Sequence, residues 1–252
     1  MTRNLLLKIC FDGTAYHGWQ IQKNALSVQE VFQNALYKIL PDCPDIKGCS
    51  RTDSGVHARE YCVSVKTESS ISCNKIPAAI NSFLPKDIAV LSCSEVPDDF
   101  HARYSTTAKE YEYVIYNGSQ RNPFYEGYSL HCRQKMQLEI LNKAASFYVG
   151  KHDFKAFCSS HSDKEDTVRQ VFYANISQTN DIVTFKVCAN GFLYNMVRIM
   201  AGTLLFVNAG KINCKDIPYI IKSKQRSRAG QTAPAQGLYL NKIFYSNKFE
   251  NS

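Results

Sequence analysis

The chain reads as an α+β protein in two halves, and three features of its sequence support this. Apolar stretches of strand length alternate with stretches of helical period. The clearest strand-like stretch has one wet and one dry face, and the order of elements broadly repeats after Pro97-Asp98-Asp99.

Asn4 to Phe11 form an apolar run ending at the turn signal Asp12-Gly13, so a first strand leaves into a loop. Ser27-Val28-Gln29-Glu30 is a capping box, in which the hydroxyl accepts from the third helical amide and the glutamate returns to the cap amide. Val28, Val31, Phe32, Ala35, Leu36, Ile39 and Leu40 then recur at helical spacing, giving one apolar face that ends before Pro41 and packs on a sheet. Strands follow at Asp45 to Ser50 and Arg59 to Thr67. In the second, Tyr61, Val63 and Val65 alternate against Glu60, Ser64 and Lys66, the pattern of an antiparallel strand. A short helix near Ile76 to Phe83 and a strand at Asp87 to Val96 complete a β-α-β-β-α-β order, the ferredoxin-like unit.

The second pass predicts a strand near Thr107 to Tyr116 and a helix around Met136 to Tyr148, then strands at Val168 to Ser177 and Ile182 to Ala189. A helix from about Leu193 to Val207, a shorter one near Cys214 to Lys222 and a last strand at Leu238 to Tyr245 follow. Each half lays helices on an antiparallel sheet. The division falls near Pro97 to Arg103, giving an amino-terminal half of residues 1–102 and a carboxy-terminal half of residues 103–252.

With 252 residues, 44% of them apolar, the chain can build a core without disulfides or structural metals. A net charge of +8 favours polyanionic partners such as nucleic acid without choosing among them. The best apolar stretch, Ile199 to Gly210, is shorter than the ~20 residues of a membrane span. Leu5 to Leu7 are too few for a secretory signal, so a cytoplasmic location is expected. None of the 10 cysteines, Cys43 among them, stands in a C-x-x-C spacing, so neither a zinc cluster nor a disulfide framework is expected. Cys10 and Cys188 sit in apolar runs as small core side chains.

The densest polar cluster, Gly48-Cys49-Ser50-Arg51-Thr52-Asp53-Ser54-Gly55-Val56-His57-Ala58, lies between two strands. By composition alone it is either a tight turn around Asp53-Ser54-Gly55 or a loop presenting a carboxylate, a guanidinium and an imidazole. It closely resembles the R-T-D-x-G-V-H-A signature of the TruA family of tRNA pseudouridine synthases. Further stretches resemble the same family, in its order: Phe11 to Gln22, Phe100-His101-Ala102-Arg103 leading to Tyr111-Glu112-Tyr113, Gly150 to Phe154, Asn190 to Arg198, and Gly237-Leu238-Tyr239-Leu240. The resemblance covers nearly the whole chain.

It implies two ferredoxin-like, RRM-like halves around a central antiparallel sheet, with an RNA-binding cleft. The implied reaction is conversion of uridine to pseudouridine in the tRNA anticodon stem-loop, around tRNA positions 38 to 40, without metal or cofactor, by a homodimer. Asp53 matches the catalytic aspartate. Tyr111 matches a tyrosine that packs on the target base and takes part in the last proton removal, with Tyr113 a rival two residues along. Arg198 is either at a helix margin or paired; the resemblance sets it beside the aspartate, and Gly202 would let another backbone approach one turn later. Arg51 matches a residue that displaces the target nucleotide from its stack, its other readings being a phosphate contact or a solvated side chain. His57 makes either a hydrogen bond within the loop or an RNA contact.

Lys211, Lys215, Lys222, Lys224, Arg226 and Arg228 form a basic run that binds the tRNA backbone or is a solvated face. Leu238 and Leu240 match the segment that lines the uracil pocket. Two features depart from the family pattern: Glu110 and Glu112 flank Tyr111 where basic residues are usual, and Ser50 stands where glycine often precedes the Arg-Thr-Asp. Two competing readings are a synthase acting at other tRNA sites or on another structured RNA, and a tRNA-binding or chaperone module without turnover. The presence of Asp53, Tyr111 and Arg198 together argues against the second.

Overall fold

The computed structural model describes residues 2–42, 45–159 and 166–245, so Cys43 lies outside the described residues. The chain is α+β and forms two compact units, one of Met1–Thr107 with Leu240–Ser246, the other beginning at Ala108 and running to Tyr239.

The first unit runs β1 (Arg3–Phe11), α1 (Val28–Ile39), β2 (Ile46–Gly48), β3 (His57–Thr67), α2 (Ile76–Asn81) and β4 (Ile88–Val96), the ferredoxin-like order. β1 lies antiparallel between β4 and β3, with Leu5 opposite both Glu95 and Val65, and β2 joins β3 antiparallel with Ile46 opposite Val65. Leu5, Leu7 and Ile9 of β1 and Val28, Phe32 and Leu36 of α1 are fully buried. Each such large side chain contributes about 1.5–3 kcal/mol relative to exposure. The helix starts where its cap dictates: Ser27 is extended, and its Oγ accepts from the Glu30 N–H at 3.3 Å. The β1–β3 register shifts between Ile9 and Phe11, just before the chain leaves through Asp12-Gly13.

The second unit runs β5 (Ala108–Tyr116), β6 (Leu130–His131), α3 (Leu138–Ser146), β7 (Gly150–Asp153), β8 (Val168–Thr179), β9 (Ile182–Ala189), α4 (Met196–Asn208) and α5 (Ile217–Ser223). Its strands follow the order β5-β9-β8-β7, all antiparallel. The expected all-antiparallel pattern is broken by β6, which pairs with β5 in parallel, Ile115 opposite Leu130. The connection from Tyr116 to Leu130 has the dozen or so residues such a pair requires. The last strand, β10 (Leu238–Phe244), is divided between the units, and from Leu240 onward it belongs to the first. There the Ile243 N–H donates to Glu60 Oε1 at 3.3 Å.

α4 is buried nearly all round, as Met196, Val197, Ile199, Met200 and Leu204 show. It begins later than its apolar pattern because Asn195 sits in the left-handed region at φ 60°, which stops the helix from extending back to Leu193. The expected short helix divides into a 3₁₀ turn at Cys214–Asp216 and α5, with Pro218 in the first turn of α5. Among the described residues, no helix is long and apolar enough to cross a membrane.

Candidate active site

In the first unit, the loop joining β2 to β3 carries Arg51 and Asp53, His57 opens β3, and the loop backbone is fixed on both sides of the aspartate. The Trp19 N–H donates to the Thr52 carbonyl at 3.3 Å, the Gly55 N–H to the Tyr16 carbonyl at 3.2 Å, and the Val56 N–H to the Asp53 carbonyl at 3.2 Å. Segment 13–19 reaches this close only because of its glycines. Gly18 has φ 82°, and a Cβ there would stand 2.3 Å from the Thr52 oxygen; a Cβ on Gly13 would stand 2.1 Å from the Val56 oxygen. Behind the loop, the Trp19 ring stacks on Tyr61 at 4.1 Å, and the Tyr61 hydroxyl donates to the Ser50 carbonyl.

Asp53 is half-buried and Arg51 is exposed. His57 is buried: its Nδ1 accepts the Gly13 N–H at 3.1 Å and lies 3.1 Å from Asp12 Oδ1. Asp12 Oδ1 also accepts from the Thr14 N–H at 2.9 Å and the Thr14 hydroxyl at 2.6 Å. Of the two readings of His57, the structure favours the internal one.

In the second unit, Tyr111 of β5 is nearly buried and meets Phe192 edge to face at 5.0 Å. Tyr113 is fully buried, and its hydroxyl donates to the Pro234 carbonyl at 2.9 Å. Burial pushes its phenol well above the usual range, with Arg198 pulling more weakly the other way. Glu110 and Glu112 are buried beside Lys186, whose Nζ is 2.9 Å from Glu112 Oε1 and 3.9 Å from Glu110 Oε1; Tyr173 also donates to Glu110. The acidic pair that flanks Tyr111 is therefore matched from within the unit.

Arg198, in the first turn of α4, is held on two sides. Its Nε donates to the Ala233 carbonyl and its Nη1 to Asn195 Oδ1, both at 2.8 Å. The segment carrying Ala233 lies against the helix at Gly202, where a Cβ would stand 1.7 Å from the Gln231 oxygen, the close approach that Gly202 predicts. The turn of residues 190–195 thus supports both Tyr111, through Phe192, and Arg198, through Asn195.

Three members of the basic run have partners within the unit. Lys224 pairs with Asp153 at 2.8 Å, Arg226 turns inward onto the Gly230 carbonyl at 2.9 Å, and Arg228 donates to Gln225 Oε1 at 2.9 Å. Lys211, Lys215, Lys222, Lys224 and Arg228 are exposed, and Arg226 is part-buried. Among the described residues, no group of three or more His, Cys, Asp or Glu could hold a metal ion.

Compared with known proteins, residues 9–105 and 144–246 match the profile of one family, described as tRNA pseudouridine synthase. The chain belongs to the tRNA pseudouridine synthase family.

Relatives named tRNA pseudouridine synthase A are similar over almost all of it. One from Thermoanaerobacter sp. (strain X514) is 47% identical over 243 residues, and one from Ruminiclostridium cellulolyticum is 46% identical over 244; each alignment covers 96% of this chain and the whole of the relative. A Clostridium tetani protein, tRNA pseudouridine synthase A 2, is 42% identical over 248 residues, 98% of this chain and all of the relative. Membership makes the protein an isomerase of tRNA uridine. The matched spans of the synthase profile contain Arg51, Asp53 and Arg198, whereas Tyr111 falls between them.

Sequence reasoning missed the two groups that orient Arg198. Asn195 carries a local signal, standing just before an apolar helix; the Ala233 carbonyl carries none, because every residue has one.

Proposed function

We propose that this synthase isomerises uridine in the anticodon stem-loop of tRNA, around tRNA positions 38 to 40, with Asp53 as its catalytic carboxylate. The observation that supports Asp53 most directly is its setting: a half-buried carboxylate on a loop whose backbone is fixed at Thr52, Gly55 and Val56. A reacting group held in one geometry lowers the entropic part of the barrier.

Uridine and pseudouridine contain the same atoms, so the reaction balances without a co-reactant. The glycosidic bond between the sugar carbon and nitrogen one breaks, the uracil turns, carbon five bonds to the same sugar carbon, and carbon five gives up its proton while nitrogen one gains one. In this reading Asp53 assists bond cleavage and re-formation, while Tyr111 stacks on the uracil and relays the last proton. The fixed Pro234 bond of Tyr113 favours Tyr111 for that role. Arg198 is the cation that the resemblance pairs with the aspartate, and exposed Arg51 fills the space the flipped nucleotide leaves. The same reading takes the enzyme to be a cytoplasmic homodimer, for which sedimentation in solution is the direct measurement.

The test is to map pseudouridine in unmodified tRNA transcripts incubated with the wild-type protein and with Asp53→Asn. Modification of the anticodon stem-loop that vanishes in the variant is the expected result. Modification elsewhere would retain the chemistry and overturn the site, and full activity of Asp53→Asn would overturn the carboxylate assignment.

A further inference from the structure

We infer that Arg226 is a positioning residue for Arg198, acting through the backbone of residues 229–233 rather than by contact with tRNA phosphate. The inference rests on the reading that Arg198 serves the reaction.

Arg226 stands in the basic run, yet it is partly buried and its guanidinium is spent on its own chain. Nη1 donates to the Gly230 carbonyl at 2.9 Å, and Nη2 to Thr232 Oγ1 at 3.2 Å. Burial lowers its affinity for the proton. A planar fork bonded to two points of one segment fixes that segment's curvature.

The segment is then attached to α4 at several points. The Gly230 N–H donates to Thr203 Oγ1 at 2.9 Å, and that hydroxyl donates to the Ile199 carbonyl at 2.7 Å. A Cβ on Gly230 would stand 2.6 Å from the backbone of Gly202 and Thr203. At the end of the segment, the Ala233 N–H donates to the Arg198 carbonyl at 3.1 Å, and the Ala233 carbonyl receives Arg198 Nε at 2.8 Å. Loosening the Arg226 fork therefore loosens the segment whose Ala233 carbonyl, together with Asn195 Oδ1, directs the Arg198 guanidinium.

The experiment compares Arg226→Ala and Arg226→Lys with the wild type in four readouts: kcat on tRNA, tRNA affinity, the salt dependence of that affinity, and amide hydrogen exchange of residues 229–234. The expected result is a fall in kcat of about tenfold or more, affinity within about twofold and an unchanged salt slope. Exchange in 229–234 should quicken, and guanidinium ion should restore part of the Arg226→Ala rate. Lysine supplies the charge without the fork and should rescue poorly, which keeps the test valid if Arg226→Ala fails to fold. Unchanged kcat with weaker binding and a salt slope lower by about one would mean a phosphate contact, and would overturn the inference. Normal exchange in both variants would overturn it too. If the wild type modified no anticodon stem-loop, the proposed substrate would fail while the exchange readout still judged the positioning role.

Discussion

Arg198 and Ala233 hold each other through two reciprocal hydrogen bonds: Arg198 Nε donates to the Ala233 carbonyl at 2.8 Å, and the Ala233 N–H donates back to the Arg198 carbonyl at 3.1 Å. A flexible side chain is thereby tied to a helix and to a segment remote in sequence. Little rotamer freedom remains to be lost when substrate binds.

Gly202→Ala tests that tie. The added methyl would stand 1.7 Å from the Gln231 oxygen, so the segment must move away. Overpacking of this kind costs about 1–3 kcal/mol, and turnover should fall with it. Urea unfolding and single-turnover kinetics measure the two effects; a variant with wild-type stability and rate would show that the close approach does not matter.

Asp53→Asn should abolish pseudouridine formation while tRNA affinity stays within about threefold, since a reacting group is lost and little backbone contact is. Filter binding beside product mapping checks both halves of this expectation.

Tyr111→Phe and Tyr113→Phe should separate. Removing the Tyr111 hydroxyl keeps the ring against Phe192 and should lower kcat with little effect on affinity. Removing the Tyr113 hydroxyl leaves the Pro234 carbonyl without its donor and should cost about 1 kcal/mol of stability. Equal loss of turnover in both variants would remove the distinction between them.

Acidification should weaken the second unit through Asp153. Burial raises its proton affinity, but Lys224, the Thr167 hydroxyl and the Lys155 amide outweigh that and hold the carboxyl below its usual 3.8. A depressed folded value adds stability above the unfolded value, which is lost as pH falls through the folded one. Asp153→Asn should therefore flatten the wild-type fall in stability below about pH 4. Thermal melts across pH 2.5 to 7 would show it, and parallel curves would mean that the pair with Lys224 contributes nothing.

Elements with local causes were legible in the sequence. Ser27 caps α1, and the spacing of Val28, Phe32 and Leu36 defines its buried face, because both signals lie within a few turns of the chain. β6 and β7 carried no such signal, being two and four residues long and mixed in polarity, and are defined by their pairing with β5 and β8. The departure at Glu110 and Glu112 was visible, but its resolution was not: Lys186 reaches them across the β5–β9 register, which a linear reading cannot supply.

By itself the sequence determined the α+β class, the order of the elements and the motif around Asp53, since period, caps and glycine spacing act over short stretches of chain. Only the tertiary structure decided that Arg226 turns inward while Lys222 faces water, that the Tyr113 hydroxyl belongs to Pro234, and that the chain from Leu240 onward returns to the first unit. The physical reason is common to all three. A donor is committed by whichever acceptor the fold brings within about 3 Å, and a strand by whichever edge is open, and neither is encoded by its neighbours in sequence.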